Sequence, residues 1–416
     1  MGDTPPAPPK VRPRIGRITV SSSLLGAMFL MATSAVGPGF ITQTTTFTAQ
    51  LGATFAFAIL ISILVDIAVQ LNIWRVVGVA NMRAQDLANK VLPGAGYLLA
   101  VLIVFGGLIF NVGNLAGTGL GLDALLGFDP KIGAALSAVL AVGILSAKKL
   151  GVALDRILIV LGVAMIALTL YVAIVSQPPV GEALRQSVMP EQLSTDVFLA
   201  AVTIIGGTVG GYITYAGAHR LIEGGQGGPE NVGDISRTSV IGIIVTGVMR
   251  VLLFLAILGV VSGGAAIMEA PNPSAEAFYQ AAGEVGMRLF GMIMWAAAVS
   301  SVIGASYTSI SFVTTFHPWL EKRRGLLVTV FIGVSLAIFL LSGQAPTTLL
   351  VLAGALNGII LPVGLGIMLW VAARRSRDLL GGYRYPRWLI AIGVAAWLLT
   401  VYMAVNALGG IAALWQ

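Results

Sequence analysis

Two stretches decide how this chain reads. They are Gly37-Pro38-Gly39-Phe40, followed by Gln43-Thr44-Thr45-Thr46, and Ile204-Ile205-Gly206-Gly207-Thr208-Val209-Gly210-Gly211-Tyr212. Each is a glycine-rich break inside a long apolar segment. In a bilayer, backbone that leaves helical geometry is tolerated only where protein or a water-filled cavity satisfies its polar groups. A pair of such breaks at corresponding places in two halves of a chain points to a solute site near the membrane midplane. The bland alternative is a proline kink at Pro38 and glycines that serve helix packing around 206–211. Neither break contains an acidic residue, a histidine or a methionine.

Working outward, the composition agrees with a membrane location. The 416 residues are 57% hydrophobic and 10% charged, with a mean hydropathy of +0.94. Soluble domains carry about 25% charged residues. Apolar runs of ~20 residues without alternation indicate helices rather than a barrel. There is no cysteine, which removes disulfides, Cys-ligated zinc and iron–sulfur clusters. The isoelectric point near 9.8 suggests nucleic acid in a soluble chain, but here the basic residues lie in particular loops and no nucleic-acid partner is expected. Residues 1–19 read as a disordered basic tail without a cleavable signal peptide.

The apolar pattern predicts eleven spans: roughly 20–51 (broken near 37–43), 53–79, 97–126, 131–147, 151–176, 196–221 (broken near 206–212), 237–263, 284–314, 326–342, 346–373 and 387–409. With this layout all but four of the 24 Lys and Arg fall on one side; the exceptions are Lys131, Arg185 and Arg288 on the other side and Arg250 inside a span. The positive-inside rule then puts the N-terminus in the cytoplasm and the C-terminus outside, in a cell inner (plasma) membrane. Five spans separate the two breaks, so the two halves have opposite topology. The expectation is an all-α polytopic domain over 20–416. Its first five-helix repeat covers about 20–176, an inverted second repeat about 196–373, and one extra helix about 387–409.

Several stretches resemble the Nramp family of divalent-metal transporters, which shares the LeuT-type fold. Leu25-Gly26 and Phe29-Leu30 are similar to the opening of its first helix. Pro38-Gly39 falls on its Asp-Pro-Gly-Asn signature, and Ala49-Gln50-Leu51-Gly52 closes that helix. Gln70, Arg75, Asp86-Leu87-Ala88 and Gly117-Thr118 to Leu122 keep family spacing, and the run Ile204 to Val209 resembles the approach to its Met-Pro-His motif, with Tyr215 also in place. The resemblance implies the scaffold. It also implies that the family's metal-binding Asp, Asn and Met stand here as Gly37, Phe40 and Gly210. The Pro-His pair stands as Gly211-Tyr212, the second histidine as Gly217, and two acidic positions associated with proton transfer as Asn111 and Asn114.

A dication stripped of water needs carboxylate, imidazole or sulfur ligands, and around the breaks only hydroxyls, amides and carbonyls are present. No metal site, no catalytic residue and no cofactor are therefore expected; the candidate coupling ions are Na⁺, which suits such carbonyl-rich breaks, and H⁺. Half-helix N-termini suit a carboxylate or carbonyl group. Glycines at Gly37, Gly39, Gly206, Gly207, Gly210 and Gly211 would let a ligand reach backbone. Gln43, Thr44, Thr45, Tyr212, Thr214 and Tyr215 are candidate hydrogen-bonding groups, and Phe40 with Tyr212 a candidate apolar wall. For each hydroxyl the competing role is interhelical bonding or back-bonding within its own helix.

Two charges fall mid-span, Asp66 and Arg250. They read either as a buried pair, structural or gating, or as a substrate counter-ion (Arg250) with a proton or sodium carrier (Asp66). Asn111 and Asn114 share a helix face and form a candidate polar path or a set of interhelical contacts. His219 and His317 are expected to be solvated at span ends, Asp123, Asp155 and Arg156 to be interfacial, and Glu223 to Glu230 to form a flexible linker. The reading is a non-enzymatic secondary transporter: a multi-pass symporter in the lipid bilayer, moving a small polar organic solute by alternating access. That solute is amino-acid-like, a small carboxylate, or an amide or lactam. The alternatives are a divalent-metal (Mn²⁺, Fe²⁺ or Mg²⁺) transporter with a relocated site, and a non-transporting sensor. Oligomeric state has no signature in the sequence.

Overall fold

The structure is a computed structural model that describes residues 37–146 and 148–415, with side chains over 37–146 and 160–408. The first half of the predicted first span, with Leu25, Gly26, Phe29 and Leu30, lies outside the described residues, and so do the side chains of Asp155 and Arg156.

Every regular element among the described residues is helical. Helix α1 (Pro38–Leu51) begins directly after Gly37, with proline in its first turn, where a missing N–H costs nothing. Backbone from Pro38 onward is helical and Gly37 is extended, so the predicted break does not run across 38–43; the residues before Gly37 lie outside those described. Gly52 ends the helix at φ +55, and a 3-10 turn leads into α2 (Phe55–Ala80). Twenty-six residues give α2 about 39 Å, enough to cross a hydrocarbon core of about 30 Å. Then come α3 (Ala84–Val91), α4 (Ala95–Leu126), α5 (Pro130–Ser146), α6 (Lys148–Val175) and the short α7 (Val180–Val188). Pro178 and Pro179 separate the last two, which bend by 105°.

The second half opens with α8 (Thr195–Thr208) and α9 (Ile213–Glu223). Four residues, Val209–Tyr212, leave the helix between them, with Gly211 at φ +51. The second break is therefore present, narrower than the predicted 206–212. Next are α10 (Val232–Ser262), α11 (Pro273–Thr314), α12 (Pro318–Lys322), α13 (Arg324–Leu341), α14 (Pro346–Arg374), α15 (Ser376–Leu379) and α16 (Arg387–Trp415). Gly283, at φ +64, bends α11.

Eight helical segments among the described residues are long and apolar enough to cross a membrane, or nine with the bent pair. That measure joins α1 to α2 and leaves out the 17-residue α5, and it does not reproduce the count of eleven. Burial separates centre from rim. In the α8–α9 segment 94% of the most apolar stretch is buried, against 28% in α13. The core is thus built around the broken segment. Helices α1, α2, α14 and α16 pack on α8, α2 packs on α10, and α4 packs on α11 and α14.

Candidate functional site

The break between α8 and α9 is held by close helix contacts. A Cβ on Gly206 would overlap the Gly354 carbonyl of α14, and one on Gly210 would fall 2.6 Å from Gly206 Cα. A Cβ on Gly211 would overlap Asn357 Oδ1, and its positive φ already favours glycine. Asn357 donates from Nδ2 to the carbonyls of Gly106 and Ala353 at 3.1 and 2.8 Å. It thereby links α4 and α14 beside the break. The room vacated at Gly206, Gly210 and Gly211 is filled by neighbouring helix, so these glycines let α14 approach. Asn357 was not among the predicted site residues. The signal was an amide between glycines, Gly354-Ala355-Leu356-Asn357-Gly358, in an otherwise apolar span.

On α1, Gln43 donates from Nε2 to the Leu350 carbonyl at 2.9 Å. Its Oε1 lies where it would be 2.5 Å from a Cβ on Gly207 and has no partner. Thr44 bonds back to the Phe40 carbonyl at 2.7 Å, and Thr45 accepts from Ser274 of α11 at 3.1 Å. Gly39 faces Phe110 and Leu350. Gln43 and Thr44 thus spend donors, and Thr45 an acceptor, on packing. On α9, the hydroxyls of Thr214 and Tyr215 are buried without a partner. Tyr212 stands edge-on to Phe110, with ring centroids 5.5 Å apart, and its hydroxyl faces Asn114.

The charged residues lie beside these groups. Arg250 of α10 is 2% exposed, and its guanidinium stacks on the Phe40 ring, 4.4 Å from the centroid. Its Nη1 donates to the Ile204 carbonyl of α8 at 3.3 Å, while Nε and Nη2 have no partner. Asp66 of α2 is also 2% exposed, with Oδ1 unpartnered. The two side chains share a cavity of about 10 Å³ with Ile63, Thr208, Ile243, Thr246 and Gly247. That volume is the room needed by one water molecule. Among the described residues they form no ion pair within 4.0 Å. Of the two sequence readings, the direct ion pair is not formed; the two opposite charges line the same small cavity without meeting. Thr208, in the last turn of α8, lines the same cavity and donates its hydroxyl to the Ile204 carbonyl at 2.7 Å.

Asn111 and Asn114 do share a side of α4 but turn to different partners. Asn111 donates to Ser335 of α13 at 3.0 Å, whereas Asn114 faces Tyr212 and closes no well-formed bond.

The two ends of the bundle differ. At one, a cavity of about 440 Å³ is lined by Thr46, Phe47, Gln50, Asp196, Thr347 and Val351, among others. Phe47 in its lining packs on Phe55 at 5.8 Å, and Phe55 on Phe254 at 5.9 Å, between centroids. At the other end α9 is tied down. Trp74 donates to the Thr214 carbonyl at 2.8 Å, Arg83 pairs with Glu223 at 2.9 Å and donates to the Ser311 carbonyl at 3.0 Å. His219 corrects its sequence reading: it is 4% exposed, stacked on Phe312 at 4.6 Å, and its Nε2 accepts from Ala84 N. Burial wins because α9 packs against α2 and His219 meets the start of α3 at Ala84. His317 is exposed, as its position implied. The glycine-rich loop after α9 is anchored rather than free, with Gly228 N donating to the Gly78 carbonyl at 2.8 Å.

The family model for natural resistance-associated macrophage protein-like (Nramp) proteins matches residues 28–409. The chain belongs to the Nramp family. Membership makes it a membrane transporter. A curated relative is the membrane protein YcsG of Bacillus subtilis (strain 168), 51% identical over 384 residues, 92% of this chain and 93% of that one. Among solved structures, a point mutant of the Eremococcus coleocola manganese transporter aligns at TM-score 0.72 and 17% identity, over 97% of this chain and 90% of that one. MhsT in complex with L-phenylalanine aligns at 0.68 and 17%, over 92% and 98%. These likenesses establish a LeuT-type fold for this Nramp chain. Among the described residues, no three His, Cys, Asp or Glu side chains come together as a metal-holding group.

Proposed function

We propose that this chain is a secondary-active carrier of a small polar organic solute: amino-acid-like, a small carboxylate, or an amide or lactam. One observation carries the reading. The buried guanidinium of Arg250 stacks on Phe40, at the position where the family resemblance would place a metal-binding asparagine. A fixed cation beside the first break repels a dication; Gly37 and Gly210 supply no charge at the other ligand positions, and the nearby carboxylate, Asp66, shares its cavity with Arg250, which offsets it. The same guanidinium attracts a carboxylate or carbonyl, and the N-terminal turns of α1 and α9 favour the same groups. Fold likeness does not choose between solutes, because the similar structures include a manganese transporter and a protein bound to L-phenylalanine.

The asymmetry of Lys and Arg supports an orientation in an inner (plasma) membrane with the Arg83–Glu223 end in the cytoplasm. The 440 Å³ vestibule would then face outside, and the ties on α9 would have to part for release. The test is a thermal-shift screen of the purified protein against amino acids, lactams, small carboxylates and Mn²⁺. A bound organic solute at 100 times its dissociation constant raises stability by about 2.7 kcal/mol. Stabilisation by Mn²⁺ alone contradicts the reading in favour of metal transport, and no stabilisation at all favours a non-transporting protein.

A further inference from the structure

We propose that Asp66 is the proton-coupling site of this carrier and Arg250 the carboxylate-binding group, so that one proton accompanies each organic anion. The inference rests on the organic-solute reading and adds to it a charge type and a coupling ion. It differs from a proton route along α4, where Asn111 and Asn114 carry no titratable group.

The argument is one of charge balance. Asp66 and Arg250 are each 2% exposed and face one cavity. Arg250 is the charged group acting on Asp66; the other elements around the cavity bring Thr208 from α8 and Thr246 from α10, neither of which titrates. Empty, the site holds Asp66⁻ and Arg250⁺ and is neutral. Protonation of Asp66 alone leaves a net positive charge in a low-dielectric interior, and a carboxylate bound alone leaves a net negative one. Both are penalised. Proton and carboxylate together restore neutrality, since the substrate anion takes over Arg250 while Asp66 holds the proton. Only the doubly loaded and doubly empty states are neutral, and those are the states that can reorient cheaply. Coupling then follows from electrostatics without a dedicated gate.

Geometry supplies the remaining links. Arg250 Nε and Nη2 are buried and unpartnered, free for the two oxygens of a carboxylate. Asp66 and Arg250 line one small cavity without forming a direct ion pair, so separating them breaks no ion-pair contact. Arg250 also bonds the Ile204 carbonyl of α8 and stacks on Phe40 of α1. A change in its partner is therefore felt by both helices next to the breaks. From the vestibule, Phe40 lies six residues down α1 from Thr46, about 9 Å. The Phe47–Phe55–Phe254 cluster intervenes, with Phe254 one helical turn along α10 from Arg250. The proton enters from the vestibule side, resides on an Asp66 oxygen and leaves at the Arg83 end after α9 is released.

The absence of cysteine allows a test that needs no known substrate. Thr46→Cys places a single thiol in the vestibule, and Gln50→Cys at its rim reports the reactivity of the thiol itself. Maleimide labelling of the reconstituted protein is followed between about pH 5 and about pH 9, a range covering perturbed carboxyl and imidazole groups. The expected result is that the labelling rate at 46, relative to 50, changes by about fivefold or more across this range, at the lower end of usual coupling strengths. Asp66→Asn makes the profile flat, and Asp66→Glu keeps a profile with a displaced midpoint. His219→Gln, which preserves an acceptor for Ala84 N, leaves it intact. The neutral double variant Asp66→Asn/Arg250→Gln, which holds no uncompensated charge, is also flat and serves if Asp66→Asn alone does not fold. A flat wild-type profile, or one that persists in Asp66→Asn or in the double variant, overturns the proposal. Manganese uptake in the same liposomes separately tests the organic-solute reading. A pH profile governed by Asp66 in a protein that moves manganese would refute that reading while sparing the coupling site.

Discussion

Two buried polar regions of this transporter meet near the break in α8–α9, and they are built on opposite terms. On the α2–α10 side, Asp66 and Arg250 bring opposite charges to one small cavity. On the α4–α14 side, Asn111, Asn114, Tyr212 and Asn357 are all neutral, and most find helix contacts. The family resemblance associates proton-transfer acids with α4. Here the titratable charge stands on α2 and α10 instead. The difference teaches that one scaffold can keep its break and relocate its charge, which changes what the break can hold.

The largest expected effect breaks the charged region. Arg250→Ala leaves Asp66 without its offsetting charge and removes the stack on Phe40, and costs up to about 3–5 kcal/mol of stability, the penalty for breaking a direct buried pair being the upper bound. Thermal unfolding in detergent measures it. Asp66→Asn/Arg250→Gln should regain most of that loss; if it does not, the two charges are energetically independent. Next is Gly211→Ala, where the new Cβ meets Asn357 Oδ1 at positive φ. A loss of about 1–3 kcal/mol is expected from overpacking, and Asn357→Ala in the same chain should recover part of it by clearing the overlap.

A smaller effect sharpens the contrast with the neutral region. Asn114→Ala removes an amide that already lacks well-formed bonds, so stability should change by less than about 1 kcal/mol. A loss as large as that of Arg250→Ala would erase the distinction between the two regions. The smallest is Glu223→Gln. The Arg83–Glu223 bridge is partly exposed, 20% and 46%, and its loss should cost about 0.5 kcal/mol. Its signature is instead faster thiol labelling of a cysteine introduced at Ala218, which is buried at the tied end of α9; unchanged labelling argues against a latch.

The sequence made the second break readable because the glycines crowded at 206, 207, 210 and 211 in one apolar run weaken a continuous helix. Asp66 and Arg250 were readable because charge is costly mid-span. Their separation was not, since it depends on side-chain packing across α2, α8 and α10. The packing role of Gly206 and Gly210 was likewise hidden, because a glycine vacates space identically for a ligand or for a helix. His219 was misread from its place at a span end, and only its contacts with Phe312 and the start of α3 reveal its burial. Asn357 was overlooked although its glycine neighbours marked it.

The central claim is that a buried guanidinium has made this Nramp site unfit for dications. Manganese uptake into proteoliposomes tests it most directly. The account predicts no uptake above protein-free liposomes, with or without an inward proton gradient. Saturable manganese uptake that is lost on substitution at Gly37 or Gly210 would contradict it.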